Sequence, residues 1–372
     1  MDSRVKITEQ EPEKRAKNFD EVCLGYTLEE AKKEAFRCLK CNNPLCVKKC
    51  PVSINIPEFI KKVEEGKIEE AYEIISQNSS LPAICGRVCP QETQCEGACV
   101  KRFKSEAIAI GKLERFVADW IIENKKKNEN EVIKNNKKIA IVGSGPAGLT
   151  CAGELVKKGF DVTIFEALHR PGGVLTYGIP EFRLPKEKIV EKEIENLEKL
   201  GVKIKCNIVV GKTITIEQLK QEFEAIFIAT GAGLPRFMNI HGEAANGVFS
   251  ANEYLTRVNL MKSYKQSDTP IFTSKKVAVV GGGNVAMDAA RTALRLGNEV
   301  YIIYRRTENE MPARKEEIEH AKEEGIKFKL LANPKEILTD EKNTVNGIKC
   351  VEMELRRTRF IRKKKTSRKR KF

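Results

Sequence analysis

KKIAIVGSGPAGLTCAGELVKKGFDVTIFEA, residues 137–167, decides the fold. A short β-branched run, Ile139–Val142, leads into Gly143-Ser144-Gly145-Pro146-Ala147-Gly148. A helical stretch follows, and then a second strand, Asp161–Glu166. Glycines at these three positions permit a tight turn and let backbone N–H groups approach a pyrophosphate at a helix N-terminus. A lone GxGxxG says little. Placed between strand and helix, with an acid at Glu166 to take ribose hydroxyls, it predicts a dinucleotide site. The alternative is a packing turn with no ligand.

The pattern repeats. KKVAVVGGGNVAMDAARTALRLGNEVYIIYRR, residues 275–306, has the same strand, glycine turn, helix and strand at the same spacing. This duplication predicts two Rossmann-type units with parallel sheets wound on both sides. The second turn is Gly281-Gly282-Gly283-Asn284-Val285-Ala286. The position equivalent to Glu166 is Tyr304, and Arg305 and Arg306 follow it. A carboxylate there would repel a ribose 2′-phosphate, whereas guanidinium groups bind one. The expected nucleotide is NADP(H) rather than NAD(H). The competing reading is a pair of solvated arginines after a strand. The link between the units is placed at Thr256–Ser274.

Upstream, the texture is different. Eight of the 12 cysteines fall into two groups. The first is Cys38-x2-Cys41-x4-Cys46-x3-Cys50-Pro51, and the second is Cys85-x3-Cys89-Pro90, then Cys95-x3-Cys99. In ferredoxin-like runs the Cys before Pro reaches the other cluster of a pair. Cys38, Cys41, Cys46 and Cys99 would then hold one 4Fe–4S cluster, and Cys50, Cys89 and Cys95 a second. That leaves the second one ligand short if Cys85 only packs. Zinc competes, but it prefers paired C-x2–4-C knuckles. Cys23, Cys151, Cys206 and Cys350 are isolated and read as ordinary thiols.

The remainder of this region reads as helices. Thr27-Leu28-Glu29-Glu30 is a capping box. IPEFIKKVEEGKIEEAYEIISQ reads as two amphipathic helices broken at Gly66. Leu113, Phe116, Val117, Trp120 and Ile121 share one helical face. The polar run Glu123–Asn136 marks a boundary. The domain expectation is an all-α iron–sulfur domain at 1–130, a flavin-binding Rossmann-like domain at 137–255 and a nicotinamide-binding one at 275–355. A basic tail, disordered in this reading, occupies 356–372.

Bulk properties narrow the class. The 372 residues are 41% hydrophobic and 32% charged, as expected of a globular chain of two or three domains. No apolar run suits a membrane span and the N-terminus lacks a signal-peptide core, so a cytoplasmic protein is expected. Reduced cysteines at tight spacing then mean metal rather than disulfides. The formal net charge is +15, but residues 356–372 alone carry 11 basic and no acidic residues. Without them +4 remains, so a nucleic-acid role for the folded part is not expected. Only three histidines are present, His169, His241 and His320, and none sits in a hydrolase arrangement. No redox-active cysteine pair lies in the flavin half, which argues against a disulfide reductase.

The cysteine segment RCLKCNNPLCVKKCPVSINIPEFI, with LPAICGRVCPQETQCEGACV and AIAIGKLERFVADW, resembles the glutamate synthase small-subunit family. That family includes the large subunit of NADH-dependent ferredoxin:NADP oxidoreductase and is similar to the N-terminal part of dihydropyrimidine dehydrogenase. The resemblance continues through PGGVLTYGIPEFRLPK, FIATGAG, GGGNVAMDAARTALRLG and YRRTENEMPAR, from Arg4 to about Leu355. It implies that Glu114 completes the second cluster and that Cys85 is not a ligand. For FAD it implies Gly172, Gly173, Leu175, Tyr177, Arg183 and Thr230. For the nicotinamide cofactor it implies Gly282, Asn284, Val285, Arg305, Arg306 and Arg314.

The activity so implied is NADPH-dependent electron transfer through FAD and two 4Fe–4S clusters to a protein partner. That partner would be a synthase large subunit, ferredoxin or a reductase small subunit. Glutamate synthesis itself needs a separate large subunit. An alternative is a non-catalytic iron–sulfur fragment. Relatives continue past a segment like GIKCVEMEL and return to the flavin domain. In this chain the basic tail stands there instead, so a truncated gene product with an exposed flavin-sheet edge and weak FAD binding is expected.

Overall fold

The computed structural model describes residues 3–124, 133–265, 269–271 and 274–354. The tail at 356–372, and the expectations attached to it, lie outside the described residues. The chain forms two compact units. The first comprises residues 1–10, 20–176 and 181–232; the second comprises 11–19, 177–180 and 233–372.

In the first unit, β1 (Thr8–Glu9) pairs antiparallel with β2 (Cys23–Gly25). The all-α expectation for the N-terminal region is corrected by this pair. The cause is backbone pairing, continued by the Gln10 N–H donating to the Val22 carbonyl. Apolar periodicity does not signal a pair of two or three residues.

The helices are α1 (Leu28–Phe36), α2 (Leu45–Lys49), α3 (Ile56–Glu64), α4 (Ile68–Ser76), α5 (Pro82–Val88) and α6 (Ile110–Asn124), of which α1, α3, α4 and α6 stand where the capping box and the apolar spacing placed them. Thr27 and Glu30 form the expected reciprocal capping box on α1. Gly66, at φ 77°, separates α3 from α4, a conformation that costs a side-chain-bearing residue more than glycine. Phe59, Ile60, Val63, Ile75, Leu113 and Val117 are fully buried in one core. Cys38, Cys46, Cys50 and Cys99 pack against that core, and Cys95 is part of it. The core therefore positions the cysteines.

The flavin-side sheet belongs to this same unit. Strands β3 (Lys138–Val142), β4 (Asp161–Phe165), β5 (Lys203–Lys205) and β6 (Ala225–Ile228) run parallel in the order β5-β4-β3-β6. This is the 3-2-1-4 order of a dinucleotide-binding half. Helices α7 (Pro146–Lys157), α8 (Glu191–Lys199) and α9 (Ile216–Glu222) connect the strands. β6 is an edge, with Phe227 and Ile228 exposed.

In the second unit, α10 (Ala251–Asn259) is capped by Ser250, which accepts from the Glu253 N–H. Thr256, expected in a linker, is therefore helical. β7 (Lys276–Val280), α11 (Asn284–Arg295), β8 (Glu299–Ile303), α12 (Lys315–Glu323) and β9 (Lys327–Lys329) give a parallel sheet in the order β7-β8-β9. An antiparallel hairpin, β10 (Ala332–Thr339) with β11 (Val345–Glu352), follows. The fold is thus a helical cysteine region followed by Rossmann-like α/β units.

Residues 11–19 pack in this second unit. Arg15 is buried and pairs with Glu323 and, at 3.2 Å, with Glu324. Arg291 and Arg295 of α11 reach the same Glu324 at 2.7 and 2.8 Å. Burial alone would raise the Glu324 carboxyl, but hydrogen bonds and charge from Arg295 and Arg291 hold it at about 2. The N–H of Arg295 Nε also donates to the Asn18 carbonyl at 2.9 Å.

Candidate functional site

The cysteines sort into two sets by proximity. Cys38, Cys41, Cys46 and Cys99 line one cavity, together with Leu39, Leu45, Ile60 and Lys101. Helix α1 ends just before Cys38, and α2 carries Cys46. Burial pushes the Cys46 thiol up to about 11, and the neighbouring Cys38 and Cys99 sulfurs add to the rise. Burial likewise raises Cys38, with Cys99 and Cys41 as its sulfur neighbours. Such thiols stay protonated unless a cation draws off the proton, which is how a metal centre binds thiolates.

Glu114 of α6 has Cys85, Cys89 and Cys95 as its sulfur neighbours. Its side chain is buried, and its Oε1 has no hydrogen-bond partner. Burial raises this carboxyl well above the usual carboxylate range, with Cys89 and then Glu193 adding. Cys95 is raised by burial first, and Glu96, Glu114 and Cys50 are its charged neighbours. Cys85 is raised well above an ordinary thiol, foremost by its side-chain hydrogen bond with Cys89 and then by burial. An orphaned carboxylate oxygen among three sulfurs fits a metal cluster, because a buried acid without a partner is otherwise costly. Cys50, from the first sequence group, is also a neighbour of Cys95 in the second.

The first glycine turn joins β3 to α7. A side chain at Gly145 would meet nothing within 4 Å, so the backbone there borders open space. Pro146 and Ala147 at the start of α7 are exposed. Gly148 lies directly against the Gly143 carbonyl. Glu166, just past β4, is buried; its Oε2 accepts from the Ser144 N–H at 2.9 Å and from the Ser144 hydroxyl, and its Oε1 from the Leu168 N–H at 2.8 Å. The Ser144 Oγ in turn accepts from the Gly172 N–H at 3.0 Å. Gly173 abuts Gly145, with a side chain at Gly173 falling 2.7 Å from the Gly145 Cα. The structure thus brings Gly143, Gly145, Gly148, Glu166, Gly172 and Gly173 together. Ser144, fully buried, is the link that motif reading passed over. Its signal was only the variable x of GxGxxG. Leu175 is buried, Arg183 is half-buried and Thr230 is exposed after β6. The open cradle and the oriented carboxylate fit a dinucleotide.

The second turn joins β7 to α11 within the second unit. The ring of Tyr304 covers Gly282, leaving a side chain there only 2.8 Å from the ring. The Tyr304 hydroxyl donates to the Glu310 carbonyl at 2.7 Å. Arg305 and Arg306 are exposed, and Arg305 has no ion-pair partner among the described residues. Asn284 Oδ1 accepts from the Arg314 N–H at 3.0 Å, and the Arg314 guanidinium pairs with Glu316 at 2.7 Å. Val285 is exposed at the helix start and Ala286 is buried beneath it. Tyr177 belongs to this unit, where the Gly178 and Tyr177 carbonyls accept from Asn259 Nδ2 at 3.2 Å.

Residues 15–126 match a family model described as dihydropyrimidine dehydrogenase domain II, 4Fe-4S cluster, and residues 137–359 match the pyridine nucleotide-disulphide oxidoreductase model. The chain is 37% identical to the glutamate synthase [NADPH] small chain of Escherichia coli over 343 residues, covering 91% of this chain and 72% of that one. It is 38% identical to the Halomonas elongata small chain, covering 94% and 76%. The chain belongs to the glutamate synthase small-chain-like family of iron–sulfur, FAD- and NAD(P)-dependent oxidoreductases.

Members of this family differ in size. The chain is 39% identical to the NADP(+)-dependent formate dehydrogenase subunit beta of Moorella thermoacetica, but spans only 46% of it. Among solved structures, FprA from Mycobacterium tuberculosis aligns at a TM-score of 0.53 and 23% identity, covering 64% of this chain and 69% of that one. That likeness concerns the fold alone. Among the described residues, no helix is long and apolar enough to cross a membrane.

Proposed function

We propose that this chain is an NADPH-dependent electron-transfer subunit of the glutamate synthase small-chain type, holding FAD and two 4Fe–4S clusters and serving a protein electron partner. The observation that carries the reading is the sorting of the cysteines into two sets. Cys38, Cys41, Cys46 and Cys99 share one cavity, and the orphaned Glu114 carboxylate stands beside Cys89 and Cys95, with Cys50 neighbouring Cys95. A single zinc site would use neither crossing.

In this reading those four cysteines bind the first cluster, and the three cysteines with Glu114 bind the second. A bound FAD would supply the hydride-accepting and one-electron chemistry between NADPH and the clusters. The chain's own part is binding and orientation. Gly143, Gly145 and Gly148, with Pro146 and Ala147 at the start of α7, admit the FAD pyrophosphate. Glu166, held by Ser144 and Leu168, keeps acceptor capacity for the ribose hydroxyls. Gly172, Gly173, Leu175, Arg183 and Thr230 supply the remaining flavin contacts within the first unit. Gly281, Gly282, Gly283, Asn284, Val285 and Ala286 receive the nicotinamide dinucleotide, and Arg305, Arg306 and Arg314 favour the 2′-phosphate of NADP(H).

The test is the visible spectrum and iron content of the anaerobically purified full chain, before and after NADPH. Flavin and iron–sulfur absorption that bleaches with NADPH is expected, with iron for two clusters. Glu114→Ala should lower the iron content by about half, because it removes one ligand of a four-ligand cluster. A zinc-bearing, colourless protein would overturn the reading.

A further inference from the structure

Residues 307–314, TENEMPAR, start just after the Arg305-Arg306 pair and return to the second glycine turn. At the far end the Ala313 N–H donates to the Gly282 carbonyl at 3.1 Å, and the Arg314 N–H to Asn284 Oδ1 at 3.0 Å. In between, Met311 is buried in the same core as Met287 of α11 and Ile318 of α12. The span thus ties the arginine pair to the turn it follows.

The backbone of the pair is fixed on two sides. Toward β9, the Tyr304 N–H donates to the Lys329 carbonyl and the Tyr304 carbonyl accepts from the Ala332 N–H, both at 3.0 Å. The Arg306 carbonyl accepts from the Leu331 N–H at 3.2 Å. The other side closes on Glu310. Its Oε2 accepts from the Thr307 N–H at 3.0 Å and from the Thr307 hydroxyl. Its own N–H donates to the Thr307 carbonyl at 3.3 Å, and its carbonyl accepts from the Tyr304 hydroxyl at 2.7 Å. An acid so near two arginines could pair with them and cancel the charge that a phosphate needs. Here Thr307 takes the Glu310 Oε2, and Lys322 of α12 takes Glu308. Arg305 and Arg306 form no ion pair among the described residues.

We propose that Glu310 is a positioning residue. Through Thr307 and Tyr304 it holds Arg305 and Arg306 in the arrangement that receives a ribose 2′-phosphate, and so sets the preference for the phosphorylated dinucleotide without touching it. The inference rests on the NADP(H) reading of the arginine pair above and adds the residue that latches the pair in place. A pre-set pair loses less conformational freedom on binding. The sign of the effect separates a latch from simple electrostatics. Removing a negative charge beside an anion site would tighten anion binding by Coulomb's law. Removing a latch loosens it.

The experiment titrates the full chain, with FAD in excess, with adenosine 2′,5′-bisphosphate and with adenosine 5′-monophosphate, followed by calorimetry. The parent should bind the bisphosphate at least about tenfold more tightly. Glu310→Ala should cut that preference about fivefold by weakening the bisphosphate alone. Glu310→Gln keeps a carbonyl oxygen for Thr307 and should stay within about twofold of the parent. Thr307→Val should lose part of the preference, and adding it to Glu310→Ala should cost nothing further. Glu310 is exposed, so these changes spare the core, and an unchanged unfolding midpoint shows that the variants fold.

Three results overturn the proposal: tighter binding of the bisphosphate by Glu310→Ala, equal weakening of both nucleotides, or a loss in Glu310→Gln as large as in Glu310→Ala. A parent that binds both nucleotides alike refutes the NADP(H) reading of the arginines and the latch with it. A parent that prefers the bisphosphate, with a Glu310→Ala variant that keeps the full preference, refutes only the latch. The titration needs neither turnover nor clusters.

Discussion

The two glycine turns start from nearly the same sequence and are finished by different chemistry. At the first, a buried carboxylate just past β4 grips Ser144, and Ser144 reaches on to Gly172. At the second, an aromatic ring covers Gly282 and two exposed arginines follow it. One turn is closed by an internal hydrogen-bond chain that leaves an acid facing the site. The other is closed by a ring and leaves positive charge outside. The glycines create the space in each case, and the residue after the second strand decides what can occupy it.

The two units are also braced differently, and the largest expected effect tests that. The Glu324 carboxylate compensates Arg15, Arg291 and Arg295, all buried in the second unit. Glu324→Ala takes one carboxylate from three buried guanidinium groups, leaving Glu323 to Arg15 and Glu317 to Arg291, and should destabilise that unit by about 3–5 kcal/mol, read as a lowered unfolding midpoint, while the first unit keeps its own. The folded carboxyl sits at about 2, below the value near 4.3 of an unconstrained glutamate. Its contribution is complete above roughly pH 4.3 and is lost as pH falls through about 2. Glu324→Gln should therefore flatten the acid limb of unfolding over that window. An unchanged acid limb would remove Glu324 as the brace.

A smaller effect sharpens the contrast between the nucleotide sites. The double variant Arg305→Glu, Arg306→Glu should lower kcat/KM for NADPH by about 100-fold, since it replaces two charge-assisted contacts by repulsion. The value for NADH should change little. Equal losses with both cofactors would mean that the arginines support the fold rather than read the 2′-phosphate.

The smallest effect concerns the first turn. Gly145→Ala places a methyl group in open space, so the unfolding midpoint should hardly move. FAD affinity should still fall about tenfold, because the methyl group blocks the approach to the helix start. An unchanged dissociation constant would mean that the pyrophosphate lies elsewhere. A variant that unfolds would mean that the turn is tighter than its geometry indicates.

Much of the helical region was legible because its signals are local. The Thr27 capping box, the Gly66 break and the Leu113–Ile121 face each depend on residues a few positions apart, and each stands in the structure. The β1–β2 pair was not legible, because two-residue strands carry no period. Ser144 was hidden for another reason: GxGxxG specifies its glycines and is silent on what fills the gaps. The packing of residues 11–19 in the second unit was hidden by distance, since Arg15 and Glu324 are 309 positions apart. Nothing in PEKR announces a buried partner.

Sequence alone determined the family, the paired Rossmann-like patterns and the supply of sulfur ligands, because glycine spacing, β-branched runs and Cys-Pro steps act over short lengths of chain. The tertiary structure decided which of those cysteines stand near one another. Cys99 joins Cys38, Cys41 and Cys46 around one cavity, and Cys95 has Cys50 and Glu114 as neighbours from distant stretches of chain. Spacing counts residues along the chain. A cluster site is set by which side chains the buried core of α3, α4 and α6 holds within reach of one another, and that depends on packing between segments far apart in sequence.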